Sequence, residues 1–213
     1  MKISTLSVTA AVLLFFSSCV KDAGTGSSNI SFQLKAAVSP VNGAAITWTI
    51  GSAGVASTKL DAKKNDSTAL ELKSEPNAQV DLFGAVNITN IAIPTGTFRN
   101  VEFKSELLPL SGKSSLRLEG TYTAGGVTTP IVFESNAAIT IKSKRDSIVI
   151  AGNVNYTAIT TIGLITLTQD VTEADLKAAD RTSGKIIISP STNIPVYTKM
   201  IANLAKTQVV DFH

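Results

Sequence analysis

From Ile30 to about Thr168 apolar and polar residues alternate with a period of two, and that alternation excludes a helical body. Ile30, Phe32, Leu34, Ala36 and Val38 alternate with Ser31, Gln33, Lys35 and Ala37, the pattern of a strand with one face buried and one in water. Pro40-Val41-Asn42-Gly43 then turns the chain. Ala44, Ile46, Trp48 and Ile50 form the inward face of a second strand and carry the only tryptophan. Leu70 and Leu72, then Val80 and Leu82, mark two shorter strands separated by Glu75-Pro76-Asn77, and Lys59 to Ser67 reads as a solvated loop.

The alternation is clearest between Ile91 and Ile150. Val101, Phe103 and Leu107 share a face opposite Asn100, Glu102, Lys104 and Glu106; Leu116, Leu118, Gly120 and Tyr122 follow, opposite Arg117, Glu119 and Thr121. Ala124-Gly125-Gly126 returns the chain through Val127, Thr129, Ile131 and Phe133, a hairpin signal. Pro130 lacks a backbone donor, which places it at a sheet edge or a bulge. Ile139 and Ile141, then Ile148, Ile150, Val154 and Tyr156, predict at least two further strands, with Lys142-Ser143-Lys144-Arg145 as the hairpin turn between the first pair. Short strands with polar outer faces predict an antiparallel two-sheet β-sandwich of immunoglobulin or transthyretin type.

Near Asp170 the period changes. Asp170-Val171-Thr172-Glu173 has capping-box spacing, Ala174, Leu176, Ala178 and Ala179 suit a short helix, and Gly184 would end it. Lys185-Ile186-Ile187-Ile188-Ser189 reads as a strand buried on both faces or under a helix. Thr192-Asn193-Ile194-Pro195 opens a last helix, with Tyr197, Ile201 and Leu204 on one face and Val196 and Met200 beside them. The fold class expected is therefore mainly β, with one or two short helices in the C-terminal segment of about 170–213.

The amino terminus has a different composition. Met1-Lys2 is a positive start, Leu6 to Phe16 an apolar run, and Ser17-Ser18-Cys19 brings two small residues before the only cysteine. A run of about eleven apolar residues suits a signal peptide, whereas a spanning helix needs about 20. Leu13-Leu14-Phe15-Phe16-Ser17-Ser18-Cys19 resembles the lipobox of bacterial lipoproteins. That resemblance implies cleavage between Ser18 and Cys19 and acylation of Cys19. Several acyl chains at about 0.8 kcal/mol per buried methylene would hold the protein firmly to a membrane. Residues 1–18 then form the signal peptide, 19–29 the lipidated cysteine and a tether rich in glycine and serine, and 30–213 a single domain. Val20 follows the cysteine where enteric lipoproteins retained at the inner membrane carry aspartate, so the outer membrane is the expected location, in either leaflet.

The body carries a second resemblance. Pro94-Thr95-Gly96-Thr97-Phe98 with Val101-Glu102-Phe103, then Leu118-Glu119-Gly120-Thr121-Tyr122 and Pro130-Ile131-Val132-Phe133, looks like an uncharacterised β-sandwich domain of cell-envelope lipoproteins of Bacteroidota type. The tail from Asp175 through Tyr197 to Leu204 is similar as well. The resemblance covers most of residues 30–213 and implies a fold and a location, with no activity attached.

The inventory of reactive groups is poor. The only histidine is His213, so no histidine-based triad or multi-histidine zinc site can be assembled. Charged residues are 16% of the chain and scattered, which argues against a nucleic-acid stripe. No phosphate-binding loop is present, because Ala124-Gly125-Gly126 joins strand to strand; no cofactor is expected. Glu102, Glu106, Glu119 and Glu134 are the carboxylates a glycosidase would need as a pair about 5 to 9.5 Å apart; each alternates with core residues and suits a solvated sheet face. Asp170, Glu173 and Asp175 have calcium-compatible oxygens, but acids in a first helical turn are expected as caps. Ser67 and Ser147 lie in Asp-Ser-Thr and Asp-Ser-Ile triplets that resemble O-glycosylation acceptors of Bacteroidota-type exported proteins; such triplets are common by chance, and turn chemistry is their ordinary explanation. Trp48, Tyr122 and Tyr156 fall on inward faces. The function expected is a lipid-anchored envelope protein with a non-enzymatic binding, adhesive or structural role. The alternatives are a carbohydrate-active hydrolase using paired strand carboxylates and a small-ligand carrier.

Overall fold

The computed structural model describes residues 26–37, 46–84, 86–206 and 208–213. The expected turn at Pro40–Gly43 lies outside them. The elements run β1 (Ser27–Ala37), β2 (Ile46–Lys64), β3 (Ala69–Ser74), β4 (Ala78–Asp81), β5 (Asn87–Pro94), β6 (Gly96–Leu107), β7 (Leu116–Ala124), β8 (Val127–Ser135), β9 (Ile139–Ile150) and β10 (Asn155–Gly163). Then come α1 (Leu164–Leu167), α2 (Glu173–Ala178), β11 (Arg181–Thr182), β12 (Lys185–Ile188), α3 (Ile194–Leu204) and β13 (Gln208–Phe212). Two sheets result, as the alternation requires. The smaller has the order β13-β10-β1-β5; the larger has the path β11-β12-β8-β7-β2-β6-β9, with β3 and β4 also on β2.

β2 organises the larger sheet. Its first half pairs with β7 and its second with β6 along one edge, while β4 and β3 occupy the other edge. The opposing edges follow from shared partners: Ala53 is opposite both Leu116 and Val80, and Leu60 opposite both Phe103 and Leu72. The smaller sheet covers the larger, and their borders touch through side chains. Ser74 Oγ lies 2.8 Å from Thr89 Oγ1 between β3 and β5, and Ser143 Oγ lies 3.2 Å from Thr160 Oγ1 between β9 and β10.

Two apolar cores fill the interior. One gathers Ile30, Phe32, Leu60, Ile93, Phe98, Phe103, Ile148 and Val210 between the sheets. The other shares β1, β2 and β6 with it and adds β7 and β8, gathering Leu34, Trp48, Val55, Leu118 and Phe133, and is capped by Leu167, Leu176, Met200 and Leu204 of the helices. α3 packs on the sandwich as expected, but its buried face is Val196, Met200, Asn203 and Leu204, while Tyr197 and Ile201 are only half-buried and Tyr197 stacks on Phe133 at 5.9 Å. No helix among the described residues is long and apolar enough to cross a membrane.

Several local expectations are corrected. Lys59–Ser67 is not a loop: β2 continues to Lys64 because Leu60 and Ala62 are buried between Lys59, Asp61 and Lys63, and only 65–67 turns. Lys142–Arg145 is not a turn either. β9 is unbroken from Ile139 to Ile150, with Ser143 buried between the outward Lys142 and Lys144. Ile50 does not continue the inward face of Ile46 and Trp48; it is 58% exposed, because a register shift between Trp48 and Ile50 places Thr49 as an extra residue.

The helical segment also differs in detail. The N-cap of α2 is Thr172, with Asp175 at N3, two residues beyond the expected box. Gly184, at φ 76°, turns β11 into β12, and α2 ends earlier at Ala178. α1 and β13 are additions, since short apolar runs do not distinguish helix from strand. Two pairings are parallel, β1 with β10 and β12 with β8. Pro130 meets its expectation, lying one residue outside the stretch Ile131–Phe133 that β12 covers. The β7–β8 hairpin turns on Gly125 and Gly126, both at positive φ.

Candidate functional site

The outer face of β3-β2-β6-β9 carries the densest chemistry among the described residues. Alternation sends every second side chain of these strands outward, and register decides which ones become neighbours. Lys73, Lys59, Lys104 and Lys142 stand directly opposite one another, a row of four ammonium groups across four strands. Two residues along each strand, Glu71, Asp61, Glu102 and Lys144 make a second row. Lys63 and Arg99 are opposite each other beyond it, and Ser57, Glu106 and Thr140 are aligned on the other side of the lysines.

Directly opposed like charges are destabilising, by the same few tenths of a kcal/mol that opposite pairs contribute. The face compensates diagonally and along strands. Lys59 Nζ lies 3.1 Å from both Asp61 Oδ1 and Glu71 Oε1; Lys104 Nζ lies 2.7 Å from Asp61 Oδ2 and 2.7 Å from Glu102 Oε1. Lys144 reaches the other Glu102 oxygen at 3.3 Å, and Lys73 pairs with Glu75 at 2.6 Å. The hydrogen bond to Asp61, then that to Glu102, holds the Lys104 ammonium well above its usual range. Partial burial pushes the Asp61 carboxyl up, but hydrogen bonds from Lys104 and Lys59 outweigh it and leave the group lowered. Glu102 is lowered by the Lys104 hydrogen bond first. Between the rows lies a hollow of about 280 Å³, lined by Ser57, Lys59, Glu71, Lys73, Lys104, Glu106 and Thr140.

The four strand glutamates therefore divide into two groups. Glu102 and Glu106 are four residues apart on β6, about 13 Å along the strand, with Glu106 accepting from Ser57 Oγ at 3.2 Å. Glu119 and Glu134 lie on β7 and β8 with Arg117 between them. Arg117 Nε donates to Glu119 at 2.8 Å and Nη1 to Glu134. That guanidinium holds two carboxylates at once, the arrangement of an ion-pair clamp on an exposed sheet face.

The other singled-out residues sit apart from this face or at its margin. Asp175 Oδ2 accepts from Lys199 Nζ at 2.7 Å and from Thr172 N at 2.8 Å, and Glu173 pairs with Lys177 at 2.6 Å. Among the described residues no three His, Cys, Asp or Glu side chains gather as a metal site. Ser67, at φ 68°, lies in the exposed β2–β3 turn, where Asp66 Oδ1 accepts from Thr68 N at 2.9 Å; Ser147 is exposed on β9 opposite Arg99. Trp48 and Tyr122 are buried, and Tyr156 stacks on Phe212 at 5.3 Å. Trp48 Nε1 and Tyr122 OH are buried without a hydrogen-bond partner. Ser18 and Cys19 lie outside the described residues.

The charged rows were not anticipated, although the sequence carries their signal. Lys59-Leu60-Asp61, Glu71-Leu72-Lys73 and Glu102-Phe103-Lys104 each place opposite charges two residues apart around an inward apolar residue, buried at Leu60 and Phe103 and half-buried at Leu72. Reading Lys59–Ser67 as a loop and Lys142–Arg145 as a turn removed two of the four strands from that comparison.

Relatives offer no further guide. Comparison with family models, curated proteins and solved structures finds no match.

Proposed function

We propose that the chain is a cell-envelope lipoprotein, acylated at Cys19 and held at the outer membrane, whose two-sheet domain has a non-enzymatic binding or structural role. The observation that carries the anchor is Leu13–Cys19, a greasy run ending in two serines and the sole cysteine. β1 starts at Ser27, eight positions after Cys19. Even fully extended, a stretch of that length reaches at most about 29 Å, which bounds the height of the domain above a lipid surface.

The non-catalytic part of the proposal is supported by how the carboxylates are used. Glu102, Glu119 and Glu134 each face a lysine or arginine within ion-pair distance, and Glu106, at the rim of the 280 Å³ hollow, accepts from the Ser57 hydroxyl. A glycosidase acid would instead be kept protonated by an apolar pocket. A carrier role would call for space between sheet and helices, where Leu167, Leu176, Val196, Met200 and Leu204 pack against the sheet side chains.

Growing cells supplied with a tagged fatty acid should label the wild-type chain and not Cys19→Ala, while both accumulate to similar levels. Equal labelling of the two, or labelling of neither, overturns the anchor. Turnover on a glycan panel that is lost in Glu102→Gln or Glu134→Gln would overturn the non-catalytic reading.

A further inference from the structure

The charge rows on β3-β2-β6-β9 are stripes, and their order along the strands is the informative part. Moving along the strand direction, the face passes from Glu106, to the four lysines, to Glu71, Asp61 and Glu102 with Lys144, to Lys63 and Arg99. The signs run negative, positive, negative, positive. A sequence of signs that inverts about its own midline is complementary to itself.

We infer that this face pairs with the same face of a second copy of the chain. The relating two-fold axis lies in the interface, perpendicular to the strands, between the lysine row and the acidic row. Such an axis lays each strand antiparallel on its own counterpart and sets every lysine of the row over the partner copy's neighbouring acid. Lys73 meets Glu71, Lys59 meets Asp61, and Lys104 meets Glu102, each twice by symmetry, while Glu106 comes over the cationic Lys63 and Arg99 row. This is an isologous contact, the commonest way for identical chains to associate. On β9 both positions are lysines, so that edge opposes the pairing, and β3, β2 and β6 carry it.

The pairing does not require breaking the bonds already present. An ammonium has three donors, and Lys59 and Lys104 each use two on acids of their own chain. A bound polyanion fits less well. It would satisfy the lysine row while lying about 7 Å from the three carboxylates of the next row, whereas a second copy satisfies both rows. The patch is small, about 15 Å across the strands and 20 Å along them, below the size of a standard interface. Association is therefore weak and strongly salt-dependent, with charge order setting its geometry.

Sedimentation velocity of the intact chain over a concentration range tests the pairing, and needs no acyl anchor. In dilute buffer the average sedimentation coefficient should rise with concentration. In 1 M NaCl, where the Debye length is about 3 Å, it should stay flat. Lys59→Glu and Asp61→Lys should each weaken self-association at least tenfold while keeping the wild-type circular dichroism. Mixing the two variants should restore it, because Glu at 59 then faces Lys at 61 and the native Asp61 faces the native Lys59. A wild type that stays monomeric, single variants that associate as well as wild type, or a mixture that fails to recover overturns the proposal. So does association that appears only when a sulfated glycan is added.

Discussion

Asp175 is the titrating side chain on which the helical cap depends most directly. It lies at N3 of α2, and its Oδ2 accepts from Lys199 Nζ on α3 at 2.7 Å, from Thr172 N at 2.8 Å and from Thr172 Oγ1 at 2.8 Å. The Lys199 hydrogen bond first, then those of Thr172, pushes its carboxyl down to about 2. A carboxylate more acidic in the folded chain than its unfolded value of about 3.9 contributes stability above that value and loses it as pH falls towards the folded one. The side chains of Asp175 and Lys199 are 23% and 38% exposed, so solvent screens the pair and the contribution is about 1 kcal/mol. Asp175→Asn should lower the unfolding free energy at pH 7 by that amount, read as a drop in the urea midpoint, and the difference from wild type should shrink between pH 4 and pH 2. A difference that persists unchanged at pH 2 would mean that packing, not charge, is what Asp175 supplies.

Element by element, the strands were legible wherever alternation ran uninterrupted, and illegible where the backbone slipped by one. β1 and β7 follow the pattern, because each buries one face only; β6 breaks it at Asn100, at φ 51°, and β8 buries Val132 beside Ile131 and Phe133 while leaving Val127 exposed. Ile50 fails it, since the ladder slips between Trp48 and Ile50 while the sequence shows only continuing alternation. Polar residues on β9 and late β2 suggested a turn and a loop, yet their buried neighbours Ser143 and Leu60 show that outward lysines are compatible with a strand, central for β2 and at the sheet edge for β9. The bulge has a specific requirement on β7. A Cβ at Gly120 would overlap the carbonyl of Thr47 and come within 2.9 Å of Trp48 Cα. Gly120→Ala should therefore cost about 3 kcal/mol through forced backbone movement, read as a drop in urea midpoint with a shift in Trp48 emission. Gly112→Ala is the control for loss of glycine freedom, since its φ is 76° and nothing lies near its Cβ position. Equal losses in the two variants would remove the steric account. The candidate site was legible one residue at a time, as glutamates on an outer face. Its organisation was not, because rows of charge exist only after register is set.

At the scale of the molecule, the two cores raise the question of whether the body unfolds once or in parts. A chain of 213 residues exceeds the size at which all-or-none unfolding is the default. Continuity of the strands argues for a single transition. β1 places Ile30 and Phe32 in one core and Leu34 and Ala36 in the other; β10 divides Ala158 from Ile162 in the same way, and β6 divides Phe103 from Leu107. β2 joins Trp48 and Val55 of the helix-capped core to Leu60 and Ala62 of the other along one unbroken strand. Losing either core would unpack part of the length of strands whose hydrogen-bond ladders the other core still needs. Phe103→Ala and Phe133→Ala each remove a fully buried ring, one from each core, at a cost of about 3 to 5 kcal/mol. Both should move the same denaturation curve, followed by Trp48 fluorescence and by far-ultraviolet circular dichroism, with the two signals coincident in each variant. The decisive comparison is Phe103→Ala, whose ring lies in the core that lacks tryptophan. If its dichroism transition shifts while Trp48 emission holds the wild-type midpoint, the cores are separate folding units and the shared strands bend without transmitting the loss.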